Sequence, residues 1–96
     1  MQAVESPLLP ILREARNLLA QPNNNFSYSK WGSADEALWE MDEFMAHVDD
    51  GLPLDHFKLK NLFAPTGSIQ EVAVSSGWVR RFNDVASRFD EVIDHA

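Results

Sequence analysis

The sequence contains no cysteine, which excludes a disulfide framework, zinc sites built from thiolates and a thiol nucleophile. Its four glycines are all isolated, so the chain lacks a glycine-rich phosphate-binding loop. No stretch approaches the roughly 18 apolar residues of a membrane-spanning helix, and no basic segment followed by an apolar run marks a secretory signal. We therefore expect a cytoplasmic protein without a membrane partner.

Basic residues are also scarce. Fifteen Asp and Glu against eight Lys and Arg give a formal net charge of −7, which argues against general nucleic-acid binding because phosphate contacts need basic side chains. The same charge favours attraction to a basic protein, although an ordinary solvated surface explains it equally well. Between Trp31 and Phe57 there is no Lys or Arg. The acidic residues of that segment are Asp35, Glu36, Glu40, Asp42, Glu43, Asp49, Asp50 and Asp55.

The length and apolar content predict one folded domain over residues 1–96. An apolar fraction of 45%, with three Trp and six Phe, is enough to fill a single core. The apolar residues recur at helical spacing in four or five segments. We therefore expect an all-α domain, bundle-like or orthogonal, of four to five helices. The sequence carries no signal for a particular oligomeric state.

The first two predicted helices have clear boundaries. Pro7 or Pro10 fits the first turn of a helix, where a missing N–H is tolerated. The second helix starts at Ser33, which forms a capping box with Glu36, and Gly51 is placed to end it in a left-handed conformation. Its apolar stripe consists of Ala37, Leu38, Met41, Phe44, Met45, Val48 and Leu52.

Two segments leave more than one conformation open. Residues 26–31 alternate weakly between aromatic and polar side chains, which we interpret as a loop that inserts aromatics into the core, with a short strand as the alternative. Residues 53–63 fit a third helix by their apolar spacing. Within it, Lys58 and Lys60 on either side of Leu59 also fit an alternating strand over 57–62.

Two further helices complete the chain. Ser68 and Glu71 form a second capping box for a helix over residues 69–76, and the last helix covers residues 78–94. The apolar stripe of the last helix consists of Trp78, Phe82, Val85, Phe89 and Val92. Its outer face carries Arg80, Asp84 and Arg88 at intervals of four, a spacing typical of a solvated ladder of ion pairs.

Trp39 is the strongest candidate for a binding residue. At 100° per residue it lies almost opposite Met41 on the second helix, and its helical neighbours at three and four positions are all carboxylates. A large aromatic among charges is typical of a binding hot spot. The alternative is that Trp39 packs beneath the N-terminal segment or the Asn-rich loop. We predict a partner-binding patch made of Asp35, Glu36, Trp39, Asp42, Glu43 and Asp50.

Catalytic and metal-binding patterns are weak in this sequence. His47 lies four residues after Glu43 and three before Asp50, a spacing at which imidazole and carboxylate can share a metal ion, but no HExxH-type pattern is present. Ser75 and Ser76 lack the G-x-S-x-G elbow and have no His nearby in sequence. We therefore expect no enzymatic activity, no cofactor and no metal ligands.

The last two helices suggest an alternative function. Ala73 and Gly77 lie four apart between two helices, which resembles a helix-turn-helix whose second helix would read DNA. Ser76 and Asn83 occupy places where that motif normally buries apolar side chains, and the second helix carries acidic residues beside its three arginines. We therefore favour a purely structural role for the corner between these two helices, and retain a nucleic-acid-binding regulator as the alternative function.

The stretch LFAPTGSIQE over residues 62–71, followed by Ser76-Gly77-Trp78, resembles a family of short bacterial proteins of unknown function. The segment FSYSKW over residues 26–31 extends the resemblance over most of the chain. It implies a bacterial origin and a helical domain, with no catalytic residues. Small acidic bacterial proteins include immunity proteins, but the likeness of this chain to them is only an analogy between kinds of protein. We expect a non-catalytic protein-binding module, with inhibition of a basic toxin or nuclease as the narrower hypothesis.

Overall fold

Five α-helices and their connecting loops make up the part of the chain that the computed structural model describes, residues 6–94. They are α1 (Leu8–Leu19), α2 (Ala34–Asp49), α3 (His56–Phe63), α4 (Ser68–Ser76) and α5 (Val79–Ile93). No strand occurs over these residues, so the all-α prediction is confirmed. The ends of the predicted domain, residues 1–5 and 95–96, lie outside the described range. None of the five helices is both long and apolar enough to cross a membrane.

Helix α1 is the centre of the fold. It begins after Pro7, the earlier of the two predicted starts, and the Ser6 hydroxyl accepts a hydrogen bond from the N–H of Leu8 at 3.2 Å. Its Cα atoms come within 8 Å of α2, α4 and α5. Seven of its twelve residues are buried, which is more than one face of a surface helix requires.

The core is filled by apolar side chains from all five helices, with Ala37 and Met41 as the fully buried contribution of α2. The rings of Phe63 and Phe89 stack with centroids 4.1 Å apart, which joins α3 to α5. The buried Trp78 indole N–H donates to the side-chain oxygen of Asn24 at 2.8 Å, and the Asn24 amide donates to the Leu18 carbonyl at 2.7 Å. These two bonds tie the Asn-rich loop to the end of α1 and satisfy a buried polar group.

Helix α2 lies on one side of this core. Among the described helices, its Cα atoms come within 8 Å of α1 alone. Only Ala37 and Met41 of its apolar stripe are fully buried, and the remaining members are half-buried apart from Leu52, which is 49% exposed. The predicted stripe therefore has the correct direction, but much of it is only partly covered.

Both ends of α2 follow the predicted capping chemistry. The Ser33 hydroxyl accepts from the N–H of Glu36 at 3.4 Å. The Glu36 carboxylate accepts from the N–H of Gly32 instead of that of Ser33, so the return bond of the capping box is shifted by one residue. At the other end Gly51 has φ of 68°, and the N–H of Leu52 donates to the His47 carbonyl at 2.9 Å, which are the features of a Schellman end.

The structure decides both ambiguous segments. Residues 57–62 are helical within α3, which begins at His56 because the Asp55 carboxylate caps it by accepting from the N–H of Lys58 at 3.0 Å. Residues 26–31 form turns and no strand. Trp31 is 4% exposed and enters the core as predicted, whereas Tyr28 is 72% exposed and does not.

The predicted capping box at Ser68 and Glu71 is wrong. Gly67 is the N-cap of α4, Ser68 is already the first helical residue, and no side chain caps this end. The turn before α4 is so tight that a Cβ at Gly67 would collide with the backbone carbonyl oxygens of Asn61 and Leu62. A glycine with no side chain therefore takes the N-cap position, and the serine is displaced into the helix.

Candidate functional site

Trp39 is 66% exposed. The alternative in which it packs beneath a loop is therefore wrong, and the helical-wheel argument that placed it opposite Met41 is correct. The other two tryptophans, Trp31 and Trp78, are both buried. Trp39 differs from them because it projects from the face of α2 opposite the core and therefore has no structural role in the core.

Trp39 lies at the rim of a groove between α2 and α3, which we call the α2–α3 groove. Among the described helices α2 packs on α1 alone, and none of its Cα atoms comes within 8 Å of α3, which leaves space between the two helices for the groove. Its volume is about 630 Å³, within the range of ligand-binding clefts. One wall is α2 with the preceding Lys30, and the other is formed by the α2–α3 loop, α3 and the start of α4. The lining residues used below are Lys30, Trp39, Glu40, Glu43, Phe44, His47, Asp55, Lys58, Asn61, Leu62 and Ser68.

The α2 wall combines apolar and acidic groups. Trp39, Glu43 and His47 follow one another at intervals of four residues and so lie along one line of the helix. The Nδ1 atom of His47 lies 3.5 Å from the Pro53 carbonyl oxygen, which places the imidazole beside the loop that closes one end of the groove. Half-buried Phe44 and buried Leu62 add apolar surface.

One carboxylate of this wall, that of Glu40, is already paired with a cation of the protein itself. The Lys30 ammonium lies 2.8 Å from Glu40 Oε2 and 5.6 Å from the centroid of the Trp31 ring. The Trp31 indole N–H lies 3.4 Å from the other oxygen of Glu40. One carboxylate thus holds an ammonium group and an indole N–H together at the edge of the groove.

The six residues of the predicted patch share the outer face of α2 but differ in their surroundings. Only Trp39 and Glu43 line the groove. Asp42 lies toward α1, where the Arg16 guanidinium donates to both of its oxygens, with Nε 2.6 Å from Oδ1 and the second contact at 3.3 Å. This hydrogen bond raises the pKa of Arg16, and the charge of Asp42 adds to the effect while desolvation of the arginine opposes it.

The remaining three members of the patch lie at the ends of α2. Asp35 and Glu36 are in its first turn, where carboxylates interact favourably with the helix dipole. Asp50 is the C-cap residue. All three are exposed, so they can contribute to the field around α2 without lining the groove.

Sequence reasoning missed the second wall of the groove. Lys58 and Asn61 of α3, with Ser68 of α4, face residues that are more than ten positions away in the chain. Their own segment carries only the signal of a short amphipathic helix. The sequence suggests His47 only as a possible metal ligand, although its position one helical turn beyond Glu43 indicates that the site extends along α2.

Over residues 6–94, no three His, Asp or Glu side chains lie close enough together to hold a metal ion. His47 and Glu43 share the α2 wall of the groove, and the opposite wall carries Asp55, Lys58 and Asn61.

The α4–α5 corner has the geometry of a tight helical turn. Gly77 has φ of 86°, and Trp78 behind it is buried. Ser76 accepts from the N–H of Asn25 at 2.8 Å, which ties this corner to the Asn-rich loop. Asn83 is exposed.

Arg88 is engaged within the protein. It pairs with Glu14 of α1 at 2.7 Å and with Asp84 at 2.8 Å. The pair with Asp84 is one step of the predicted ladder of ion pairs. The bond to Glu14, and to a smaller degree the one to Asp84, raises its pKa. One of the three arginines that a DNA-reading α5 would use is therefore already paired with carboxylates.

Comparison of the chain with models of protein families, with curated proteins and with solved structures found no match. The resemblance to short bacterial proteins therefore stays a prediction, and the function proposed below is based on the geometry described above.

Proposed function

We propose that this chain is a non-catalytic module that binds a basic protein through the outer face of α2 and the adjoining α2–α3 groove. The observation that carries the proposal is the 66% exposure of Trp39 on a helix face that otherwise bears carboxylates. Removing a large indole from water contributes strongly to binding, and surrounding charges steer the partner and select against wrong ones.

The charge of this face supports a basic partner. Within residues 6–94, no Lys or Arg pairs with Asp35, Glu43 or Asp50. Arg16 forms an ion pair with Asp42 of α2, and Lys30 forms one with Glu40 of α2. The unpaired carboxylates, together with the net charge of −7, attract a basic surface over distances of about the Debye length.

The narrower form of the proposal is an immunity-type inhibitor of a basic toxin or nuclease. Small size and an acidic docking surface support it, because an inhibitor of such an enzyme needs to cover a positively charged substrate site without catalysing anything itself. It predicts that the retained partner is a basic toxin or nuclease whose activity falls on binding.

The proposal is tested by affinity capture from a lysate of the source organism at low salt with three baits. They are the wild type, a Trp39→Ala/Glu43→Lys variant, and a Phe57→Ala/Glu91→Lys control that makes matched changes at an exposed aromatic and an exposed carboxylate elsewhere. We expect a basic protein retained by the wild type and the control but lost from the first variant. Equal retention by all three baits, or retention by none, would overturn the proposal.

A further inference from the structure

The edge of the α2–α3 groove shows how this wall accommodates a cation. Lys30 lies between an aromatic ring and a carboxylate, 5.6 Å from the Trp31 centroid and 2.8 Å from Glu40. A cation held by a ring face and a carboxylate gains both cation–π attraction and a charge-assisted hydrogen bond. The protein thus already contains one complete example of this arrangement.

Trp39 and Glu43 offer the same pair of groups without a cation. They are four residues apart on α2, so their Cβ atoms are about 5–6 Å from each other, and both line the groove. Over residues 6–94 no ion pair involves Glu43. Of the charged residues in the lining, Glu40 is paired with Lys30, which leaves Glu43 on the α2 wall, and Asp55 and Lys58 on the opposite wall.

We infer that the α2–α3 groove receives an arginine side chain of the partner, with its guanidinium stacked on the Trp39 indole and paired with the Glu43 carboxylate. This inference rests on the proposed function and names the chemistry that the groove selects. The volume of about 630 Å³ holds such a side chain together with a neighbouring apolar one on Phe44 and Leu62.

Arginine fits this pair of groups better than lysine. The guanidinium is planar, stacks on an aromatic face, and presents paired N–H donors to both carboxylate oxygens. It is also less strongly hydrated than an ammonium group, so its transfer into a groove with apolar surface costs less. A lysine ammonium group can also contact the ring and the carboxylate, as Lys30 does at Trp31 and Glu40, but it cannot stack as a plane or present paired N–H donors to both carboxylate oxygens.

The test is a titration followed by two-dimensional ¹H–¹⁵N NMR, with three dipeptide probes. They are N-acetyl-arginyl-leucine amide, its lysyl counterpart, and the citrulline counterpart, which keeps the shape of arginine and lacks the charge. The indole N–H signal of Trp39 is identified by its loss in Trp39→Phe. Trp31 and Trp78 serve as internal references, because both indoles are bonded within the protein.

We expect the arginine probe to shift the Trp39 indole signal and the amide signals of the groove to saturation, the lysine probe to bind more weakly, and the citrulline probe to have no effect. Glu43→Gln should weaken the arginine probe about fivefold, whereas Glu91→Gln on α5 should leave it unchanged. An equal response to citrulline, or shifts confined to residues outside the groove, would overturn the inference.

The two proposals fail separately. A basic partner retained through Trp39, combined with no response to the arginine probe, would remove the arginine subsite and leave the proposed function in place. Equal retention of the partner by all three baits, or retention by none, removes the proposed function by a readout that does not use the probe.

Discussion

Three tryptophans in this chain occupy two kinds of environment. Trp31 and Trp78 are buried, and the indole N–H groups of both meet side-chain oxygens, those of Glu40 and Asn24. Trp39 has most of its surface in water. Because the free energy of burial scales with the area removed from water, the first two residues serve folding. The third retains most of its apolar surface for a partner.

The exposure of Trp39 predicts a small effect on stability. Trp39→Ala should change the free energy of unfolding by no more than about 0.5 kcal/mol, as is usual for exposed positions. Trp78→Ala should cost about 3–5 kcal/mol, since it leaves a cavity and an unsatisfied Asn24. Urea denaturation followed by circular dichroism measures both values. Comparable losses in the two variants would mean that Trp39 is part of the core.

At the scale of the element, the helix ends show where a capping pattern in the local sequence predicts the structure and where it does not. Ser33 and Ser68 each precede a Glu by three residues, and both fit a capping box. Ser33 caps α2, whereas Ser68 lies inside α4. The difference comes from a tertiary contact, the close approach of Gly67 to the backbone of Asn61 and Leu62, which no local pattern encodes.

The two serines therefore predict unequal substitution effects. Ser33→Ala should lower the free energy of unfolding by about 1 kcal/mol through loss of the N-cap hydrogen bond. Ser68→Ala should cost less than about 0.5 kcal/mol, because Ser68 caps nothing and alanine is the better helix former. Thermal or urea unfolding of the two variants provides the comparison. A loss at Ser68 as large as that at Ser33 would restore the second capping box.

The helices and the direction of their apolar stripes could be predicted from the sequence because they depend on local periodicity. The same periodicity predicted that Trp39 points away from Met41, but whether a loop covers it could be decided only by the structure, in which it is 66% exposed. The groove could not be predicted, since it depends on how α2 and α3 are placed in space and brings Glu43 and Lys58 into the lining of one groove. The pairing of Asp42 with Arg16 likewise depends on how α1 and α2 pack.

At the scale of the whole molecule, the fold has a firmly packed side and a loosely packed side. Helix α5 comes within 8 Å of α1, α3 and α4, whereas α2 approaches α1 alone among the helices described. The molecule is elongated, with extents of 44, 24 and 22 Å. Only two residues of α2 are fully buried, compared with four of α5. A helix with few buried apolar side chains opens locally at low cost.

Amide hydrogen exchange should report this asymmetry. We expect residues 41–47 of α2 to exchange faster than residues 82–89 of α5, with a smaller free energy of opening for α2. Exchange measured by NMR in the native state gives both values from one sample. Equal protection of the two helices would show that α2 opens only with the whole domain.

The central claim is that Trp39 anchors a basic protein on α2. The most direct measurement is the rate at which the captured protein dissociates from the wild type, Trp39→Ala and Phe57→Ala, by surface plasmon resonance at low and physiological salt. We predict dissociation about 30-fold faster from Trp39→Ala, as expected for a hot spot of about 2 kcal/mol. Dissociation from Phe57→Ala should be unchanged, and association should slow as salt rises. Equal dissociation rates from all three proteins would contradict the account.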